Sequence, residues 1–518
     1  LQRHEQLAKG LMAMRIGRDK VRGTVRLRGL VAAVGGEGAQ KLPDVEVKDV
    51  KSDSRSVQPG DVFVAVRGVE VDGHRFVGDA VARGAVACVT EREVDTGRAA
   101  NIVVEDSAKA LAVLASEING NPSAGLRLLG VTGTNGKTST AHLLRAICER
   151  SAWGRVGLIG TVGHGVGTRL EASVHTTPEP LTLHRLFADM KKQECVGVVM
   201  EVSSHAVRQQ RTWGLDFEIG MLTNVTRDHL DFHPTFDDYL GAKREFCYSL
   251  VASSRRKQAG TLVYSVDDER AREIGREFPG RKIATSIATV ADVYASALEA
   301  TLAGTRFVLH LGQRESASIH LQLLGSFSAS NAVMAAAAGH ALGIGIEGIK
   351  AGLESVGRVP GRFDAFGGRT KPLAVVDYSH TPDSLERTLA FCRALGPRRL
   401  IVVFGCGGDR DRGKRPLMGE IAQRHADTCY VTSDNPRTED PTAIIDDILA
   451  GMDRKKKGLV VEPDRRKAIH AAIAGAGLGD LVAICGKGHE DYQIVGTKRE
   501  HFDDREEAER ALNAWGAA

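Results

Sequence analysis

Apolar residues fall in short runs along this chain, and each run ends at glycine, proline or a charge before a helical spacing takes over. Between positions 24 and 121 the pieces are small. Gln58-Pro59-Gly60-Asp61 signals a turn, and Val62 to Val66 follows as a buried strand. A second turn, Val71-Asp72-Gly73-His74, leads into helical spacing at Phe76, Val77, Ala80 and Val81, and Ala85 to Val89 closes a small α/β unit. From 122 to 354 strand and helix keep alternating. Leu128 to Val131 reads as a strand, Ala141, Leu143, Leu144, Ala146 and Ile147 as a helix, and Val196 to Met200 and Ile219 to Leu222 as further buried strands. From 355 to 518 the strands Leu373 to Val376, Leu400 to Phe404, Cys429 to Thr432 and Leu481 to Cys485 alternate with helices. This pattern predicts an α/β protein of three domains: a small α/β domain (24–121), a central domain with a mostly parallel sheet (122–354) and a Rossmann-like C-terminal domain (355–518). Residues 1–23 form a basic extension to which the pattern gives no role.

One stretch organises the middle of the chain. The strand ending at Val131 breaks into Gly133-Thr134-Asn135-Gly136-Lys137-Thr138-Ser139 and then enters a helix. Glycines let backbone N–H groups turn toward an anion, the helix N-terminus adds partial positive charge, and Lys137 adds a full one. Thr138 offers a hydroxyl to a magnesium ion. The stretch therefore reads as a site for the phosphates of a nucleoside triphosphate, in a variant spacing with Val131 where the strict motif has glycine. A plain glycine-rich turn with an exposed lysine is the alternative, and the flanking strand and helix weigh against it.

Composition narrows the setting without changing the fold. At about 100–200 residues per domain, 518 residues suggest about three domains. A net charge of +4 is too small to argue for nucleic acid, and no apolar run reaches the length of a membrane span. The eight cysteines are scattered without a C-x-x-C pair, which suits reduced, buried thiols in a cytoplasmic protein. The run Arg454-Lys455-Lys456-Lys457 reads as a solvated loop.

Two central strands end on groups suited to a cation. Val196 to Met200 runs into Glu201-Val202-Ser203-Ser204-His205, and Ile219 to Leu222 into Thr223-Asn224-Val225-Thr226-Arg227-Asp228-His229. Ligands in such sheets gather at the carboxyl ends of strands, so Glu201 is placed to reach a metal held by Thr138. His229 is the unusual member, and a hydrogen-bonded structural histidine is the competing reading. Ser54, between charges, suits either a polar ligand or the cap of a turn.

In order along the chain stand GTNGKT, HTTPEP, EVSSHA, NVTRDHLDFH, YLGAKREF, VPGRFD, DYSHTPDSL, GCGGDRDRGKRP, DNPR and GKGHED. Ten ordered motifs over roughly residues 50 to 495 identify the chain as resembling the Mur ligases, among them those that add the third residue of the muramoyl peptide. The resemblance implies one domain for a UDP-sugar, one for ATP and a C-terminal one for the incoming amino acid. Carried over by that resemblance, Ser54, Val69, Glu70 and Val71 hold the UDP end. Thr176, Thr177, Ser203, Gln209 and Arg211 hold the muramoyl-peptide end. Gly133 to Ser139, Asn331, Arg362 and Asp377 bind ATP. Ser328 stands where asparagine is common in the family, and Ser379 where alanine is usual.

The same resemblance makes Lys137, Glu201, His229, Lys243 and Arg362 catalytic. It places two magnesium ions on Thr138, Glu201, His229 and Lys243, the last as a carbamate formed with CO2. An ammonium repels magnesium, whereas a carbamate is an anionic oxygen ligand. The implied reaction joins UDP-MurNAc-L-Ala-D-Glu to an amino acid through an acyl phosphate, in a cytoplasmic monomer that works on small molecules without membrane insertion. Arg410, Asp434, Asn435, Pro436, Arg437, Gly486 and Glu490 surround the amino acid. meso-Diaminopimelate is expected, because its distal carboxylate matches the forked donors of Arg437 while Glu490 suits the distal ammonium. Three alternatives stay open: an L-lysine-adding ligase, a folylpolyglutamate synthetase-like ligase, and a nucleotide-gated binding protein without activity.

Overall fold

The computed structural model of the protein describes residues 25–35, 42–68, 71–251 and 259–516. The basic extension and the expected UDP contacts Val69 and Glu70 lie outside the described residues. Among the described residues there are three sheets of three or more strands, each buried on both faces by its own apolar clusters.

The first has four parallel strands in the order Val50–Lys51, Val62–Val64, Ala87–Thr90, Ala100–Val103. The helices Ser107–Ile118 and Val77–Ala82 lie against it. Phe63 and Cys88 face one cluster while Val62, Val64, Ala87 and Val89 face the other, as the period of two in a strand demands.

The central sheet has eleven strands. Seven are parallel, in the order Val156–Ile159, Gly197–Glu201, Arg127–Thr132, Phe217–Leu222, Thr261–Ser265, Lys282–Ser286, Val293–Thr301. The inner strands, such as Val156–Ile159, Gly197–Glu201 and Phe217–Leu222, are mostly apolar and buried because both faces are covered, whereas Lys282–Ser286 and Val293–Thr301 toward the edge include exposed residues. Leu129 and Val131 face one cluster with the helices Lys137–Arg150 and Ser326–Ala341, and Leu128 faces the other with Phe187, Met200 and Phe246. Helix Ser326–Ala341 is alanine-rich and buried almost all round, which lets it pack closely on the helix after the phosphate loop.

Antiparallel strands extend this sheet at both ends, an addition absent from the sequence reading. His164–Val166 and Arg169–Glu171 form one edge, and Gly304–Leu311 and Glu315–Leu321 the other. The signal was present as a period of two, with Phe307, Leu309 and Leu311 buried between more exposed neighbours. On the outermost strand only Ile319 and Leu321 are buried, and Glu315, Ser316, Ser318 and His320 are exposed.

The C-terminal sheet runs Asp364–Gly367, Leu373–Asp377, Leu481–Cys485, Leu400–Phe404, Thr428–Val431, Leu459–Val461, with only the first strand antiparallel. All eight cysteines are buried and unbridged, and Arg454 to Lys457 are exposed. Behind this sheet Arg465 is fully buried against Asp504, with Nε and Nη2 donating to the two carboxylate oxygens at 2.8 and 2.7 Å. Removing one member strands the other charge, so Asp504→Ala is expected to cost about 3–5 kcal/mol of stability. Chemical denaturation monitored by circular dichroism measures it, and a loss under about 1 kcal/mol, the worth of an exposed pair, contradicts that role.

Candidate active site

Strand Arg127–Thr132 delivers the chain into the phosphate loop and helix Lys137–Arg150 carries it away. Gly136 has φ 88°, and a Cβ there would strike Asn331 Oδ1, so both the backbone and the neighbour require glycine. The loop is tied to the end of the adjacent strand. Asn135 N–H donates to Asn224 Oδ1 at 2.9 Å, and Thr134 Oγ1 accepts from Thr226 N–H at 2.9 Å and lies 2.9 Å from Tyr239 Oη. Lys137 folds back, its Nζ donating to the carbonyls of Gly133 and Thr134 at 2.8 and 2.9 Å. Ser139 is buried in the first helical turn.

Glu201 is the last residue of its strand and is 1% exposed. Its Oε2 accepts from Thr138 Oγ1 at 3.1 Å and Thr161 Oγ1 at 3.0 Å, while Oε1 accepts from Thr161 N–H at 2.9 Å. Thr138 and Glu201 thus meet as expected. Thr161 was not foreseen, although its place just beyond strand Val156–Ile159 makes it legible by the strand-end rule. Arg362, from the turn before the C-terminal sheet, reaches the same point: its Nη2 donates to Thr138 Oγ1 at 3.0 Å. Asp377, the expected ATP contact, also holds that turn, accepting from Phe363 N–H at 2.9 Å and from Ser379 Oγ. Asn331 lies under Gly136 and accepts from Thr140 Oγ1 at 3.4 Å. The hydroxyl of Ser328 bonds the carbonyl of Leu324 at 2.7 Å.

His229 sits in the left-handed region (φ 55°) beside Asp228, Nε2 to Oδ2 3.3 Å, and packs edge-on against His205. Burial pushes its pKa well below the usual value, which leaves a neutral ring. Lys243 is 2% exposed, its Nζ 4.3 Å from the centre of the Tyr239 ring. Burial and then the nearby Lys137 charge push its amine well below the usual lysine pKa. A hydroxyl and a carboxylate converging at Thr138 and Glu201 fit a hard divalent cation, and a neutral imidazole can join them. A free amine at Lys243 is a poor ligand for such a cation, so that position fits only once it carries an acid group. Among the described residues no group of three or more His, Cys, Asp or Glu side chains is arranged to hold a metal.

Thr177 Oγ1 donates to the Glu201 carbonyl at 2.8 Å and accepts from Ser203 N–H at 3.0 Å. Arg211 Nη1 donates to the Thr177 carbonyl at 2.8 Å and Nη2 lies 2.6 Å from Glu179. Thr176 Oγ1 is 3.1 Å from Thr161 Oγ1. Ser203 caps helix Ser204–Arg208, and Gln209 follows its last residue. These five residues therefore share one patch beside Glu201. Ser54 and Val71 lie in the N-terminal unit, where Ser54 is buried at the start of a single turn of helix and Val71 is exposed. The same unit holds His74, whose ring bridges Asp72 Oδ1 at 2.6 Å and Glu91 N–H at 2.9 Å.

The C-terminal candidates gather at the strand ends of their own sheet. Asn435 Nδ2 donates to Glu490 Oε2 at 2.8 Å, and buried Lys487 donates to Asn435 Oδ1 at 3.1 Å and Glu490 at 3.3 Å. Lys487 went unread in the sequence, where it is one residue of a glycine-rich turn. Burial raises the Glu490 pKa, and Lys487 holds that of Asp434 down against its burial. A Cβ at Gly486 would strike Asp434. Half-buried Arg437 (φ 51°) donates from Nη1 to the Gly408 carbonyl at 2.7 Å, and Pro436 packs against Gly408. Exposed Arg410 points to Asp231 at 3.9 Å, on the loop that carries His229. Asp411 and Arg227 pair across the same gap at 3.3 Å.

Three family models match the chain: "Mur ligase family, catalytic domain" over 46–118, "Mur ligase middle domain" over 131–339, and "Mur ligase, glutamate ligase domain" over 361–488. The chain belongs to the Mur ligase family. It is 44% identical over 475 residues to UDP-N-acetylmuramoyl-L-alanyl-D-glutamate–2,6-diaminopimelate ligase of Syntrophomonas wolfei, covering 90% of this chain and 95% of that one. To the ligase of the same name from Gloeobacter violaceus it is 43% identical over 494 residues, covering 94% and 98%. A solved structure of a ligase with that name superposes with a TM-score of 0.65 at 32% identity, covering 95% of this chain and 99% of that one. Folylpolyglutamate synthase of Mycobacterium tuberculosis shares the fold, with a TM-score of 0.60 at 17% identity over 73% of this chain and 92% of that one.

Gly136→Ala tests the loop geometry. A left-handed alanine costs about 1–2 kcal/mol and its methyl displaces Asn331, so nucleotide affinity is expected to fall about tenfold or more. Calorimetric titration with ADP reads this directly, and unchanged affinity would remove the loop from nucleotide binding.

Proposed function

We propose that this protein is an ATP-dependent, ADP-forming ligase that adds meso-diaminopimelate to UDP-N-acetylmuramoyl-L-alanyl-D-glutamate, a step in peptidoglycan precursor synthesis. The observation that carries the reading is the junction at Thr138. There the phosphate loop, the buried carboxylate of Glu201 and an arginine from the C-terminal unit meet within hydrogen-bond distance. A nucleotide site is thereby joined to the unit whose strand ends carry Arg437 and Glu490. Relatives of 43–44% identity over nearly the whole chain bear the name of this activity.

The chemistry follows from what an amide bond needs. A carboxylate is a poor electrophile, so the γ-phosphoryl group of ATP first passes to the substrate carboxylate as an acyl phosphate. Phosphoryl transfer depends chiefly on positioning and charge neutralisation. Lys137 and Arg362 supply positive charge at the transferring group, and the loop N–H groups hold the phosphates. Magnesium held by Thr138, Glu201, His229 and carbamylated Lys243 would neutralise phosphate charge when bound. The substrate carboxylate is held by the patch of Thr176, Thr177, Ser203, Gln209 and Arg211. The amine then attacks the acyl carbon and phosphate leaves, with no side-chain nucleophile needed.

A buried lysine kept neutral has a free lone pair for CO2, which supports the carbamate. The remaining assignments complete the reading: Ser54 with Val69, Glu70 and Val71 for the uridine end, Asn331 and Asp377 for the nucleoside, and a monomer active in the cytoplasm. The domain divisions fall near 121 and 354. Phosphate release from ATP, with the UDP-dipeptide and either meso-diaminopimelate or L-lysine, tests the whole. Release requiring both the dipeptide and meso-diaminopimelate is expected. A folate substrate, or release without an amine acceptor, defeats it.

Lys243→Ala is expected to be nearly inactive while folded, and a short carboxylic acid that enters the vacated space should restore part of the rate. Mass spectrometry at low temperature and added bicarbonate should find 44 Da on the wild type only, the mass of one CO2 (~44) added at a metal-ligand lysine. Arg437→Ala is expected to lower kcat/KM for meso-diaminopimelate by about 100-fold, as loss of a bidentate charged contact does. Competition against L-lysine reads it, and an unchanged preference would sink the role of Arg437.

A further inference from the structure

One buried cation has no part in the chemistry described so far. Arg415, in the first turn of helix Lys414–His425, is fully buried, yet it lies beneath the loops that present Arg410 and Arg437. Its Nη2 donates to Glu439 Oε1 at 2.8 Å and to the Gly407 carbonyl at 3.2 Å. Its Nη1 donates to Glu439 Oε2 at 3.0 Å and Asp447 Oδ2 at 2.9 Å. Glu439 passes the restraint on, because its Oε1 also accepts from Asp409 N–H at 2.6 Å. Asp409 in turn accepts from Thr438 Oγ1 at 2.8 Å and Thr438 N–H at 3.2 Å.

The 407–409 loop and the 435–439 loop are thus locked together from below and along their length. Gly408 N–H donates to the Asn435 carbonyl at 2.9 Å, and Arg437 Nη1 rests on the Gly408 carbonyl. Both Asp409 (φ 53°) and Arg437 (φ 51°) hold left-handed backbone, a conformation that costs energy unless the surroundings impose it. The Arg415–Glu439 fork ties the helix to the 435–439 loop by two charged bonds, and the bond from Arg415 Nη2 to the Gly407 carbonyl ties it to the other loop.

We propose that Arg415 and Glu439 are positioning residues for amino-acid selection: the buried fork clamps the two loops so that Arg437 and Arg410 face the incoming amino acid in one fixed arrangement. This rests on the amino-acid site argued above. A charged pair that touches no substrate then sets discrimination, because a loose guanidinium meets a distal carboxylate no better than it meets solvent.

The test compares three single variants with the wild-type enzyme. Glu439→Gln keeps the volume and weakens the fork; Asp447→Asn removes a carboxylate from the same arginine without touching either loop; Thr438→Val, at an exposed position, cuts one bond between the loops. The readouts are KM for each substrate, the ratio of kcat/KM for meso-diaminopimelate to that for L-lysine, and the melting temperature. Glu439→Gln is expected to raise KM for meso-diaminopimelate about tenfold and to lower the ratio equally, while KM for ATP and for the UDP-dipeptide stay within about twofold. Thr438→Val should lower the ratio by a smaller factor, and it decides the matter if Glu439→Gln does not fold. Asp447→Asn should lower the melting temperature and leave the ratio unchanged. Wild-type discrimination retained in Glu439→Gln and Thr438→Val, or lost equally in Asp447→Asn, overturns the inference while the amino-acid assignment stands. A wild-type enzyme that does not use meso-diaminopimelate overturns both.

Discussion

A carboxylate shut away from water at the end of a strand must be met by donors or by a cation, and Glu201 sets that demand at the centre of this molecule. Thr138 and Thr161 meet it here, one from the phosphate loop and one from the neighbouring strand end. The arrangement follows from a parallel sheet covered on both faces, where side chains reach open space only at the strand ends. Arg362 arrives at the same threonine from outside the sheet. A strand-end carboxylate and the C-terminal unit are therefore brought to bear on one hydroxyl of the glycine loop.

The C-terminal unit is anchored at this point by more than Arg362. Asn135 of the phosphate loop donates to Asp383 Oδ2 at 2.8 Å, and Arg227 pairs with Asp411. The first joins a loop of the central sheet to the first turn of helix Pro382–Ala394, and the second joins a loop of the central sheet to a loop of the C-terminal one. The central and C-terminal units are thereby held in register by short polar contacts that water can replace. That is the kind of interface that opens and closes without disturbing either core.

Parallel strands were legible where burial on both faces leaves an unbroken apolar run, as at Val198 to Met200 and Val402 to Phe404, while Val156–Ile159, Thr261–Ser265, Lys282–Ser286 and Val293–Thr301 went unread. The glycine loop and Glu201 stood out because each lies at the end of such a run, and His229 because it lies in the loop that follows one. Lys243 was not readable from local pattern: in the sequence it is one helical lysine among charges, and only the ordered family motifs marked it. It is buried all the same, at 2% exposure. Asp377 also stands at a strand end, and its bonds to Phe363 N–H and Ser379 Oγ join it to a turn that no local pattern foretells. Arg415 and Lys487 escaped because a buried cation looks like a surface one until its distant partners are known. The antiparallel extensions escaped because alternation was not followed through residues 293–321.

Those extensions have a consequence for the chain's company. A long parallel sheet would otherwise end in a row of unpaired N–H and C=O groups, an open template for a strand from another molecule. Here one margin is a three-residue strand, Arg169–Glu171. The other, Glu315–Leu321, turns a glutamate, two serines and a histidine outward. Growth of the sheet from either side meets a strand too short to copy or one too well hydrated to cover. Neither margin of the eleven-stranded sheet offers a ready template for a further strand.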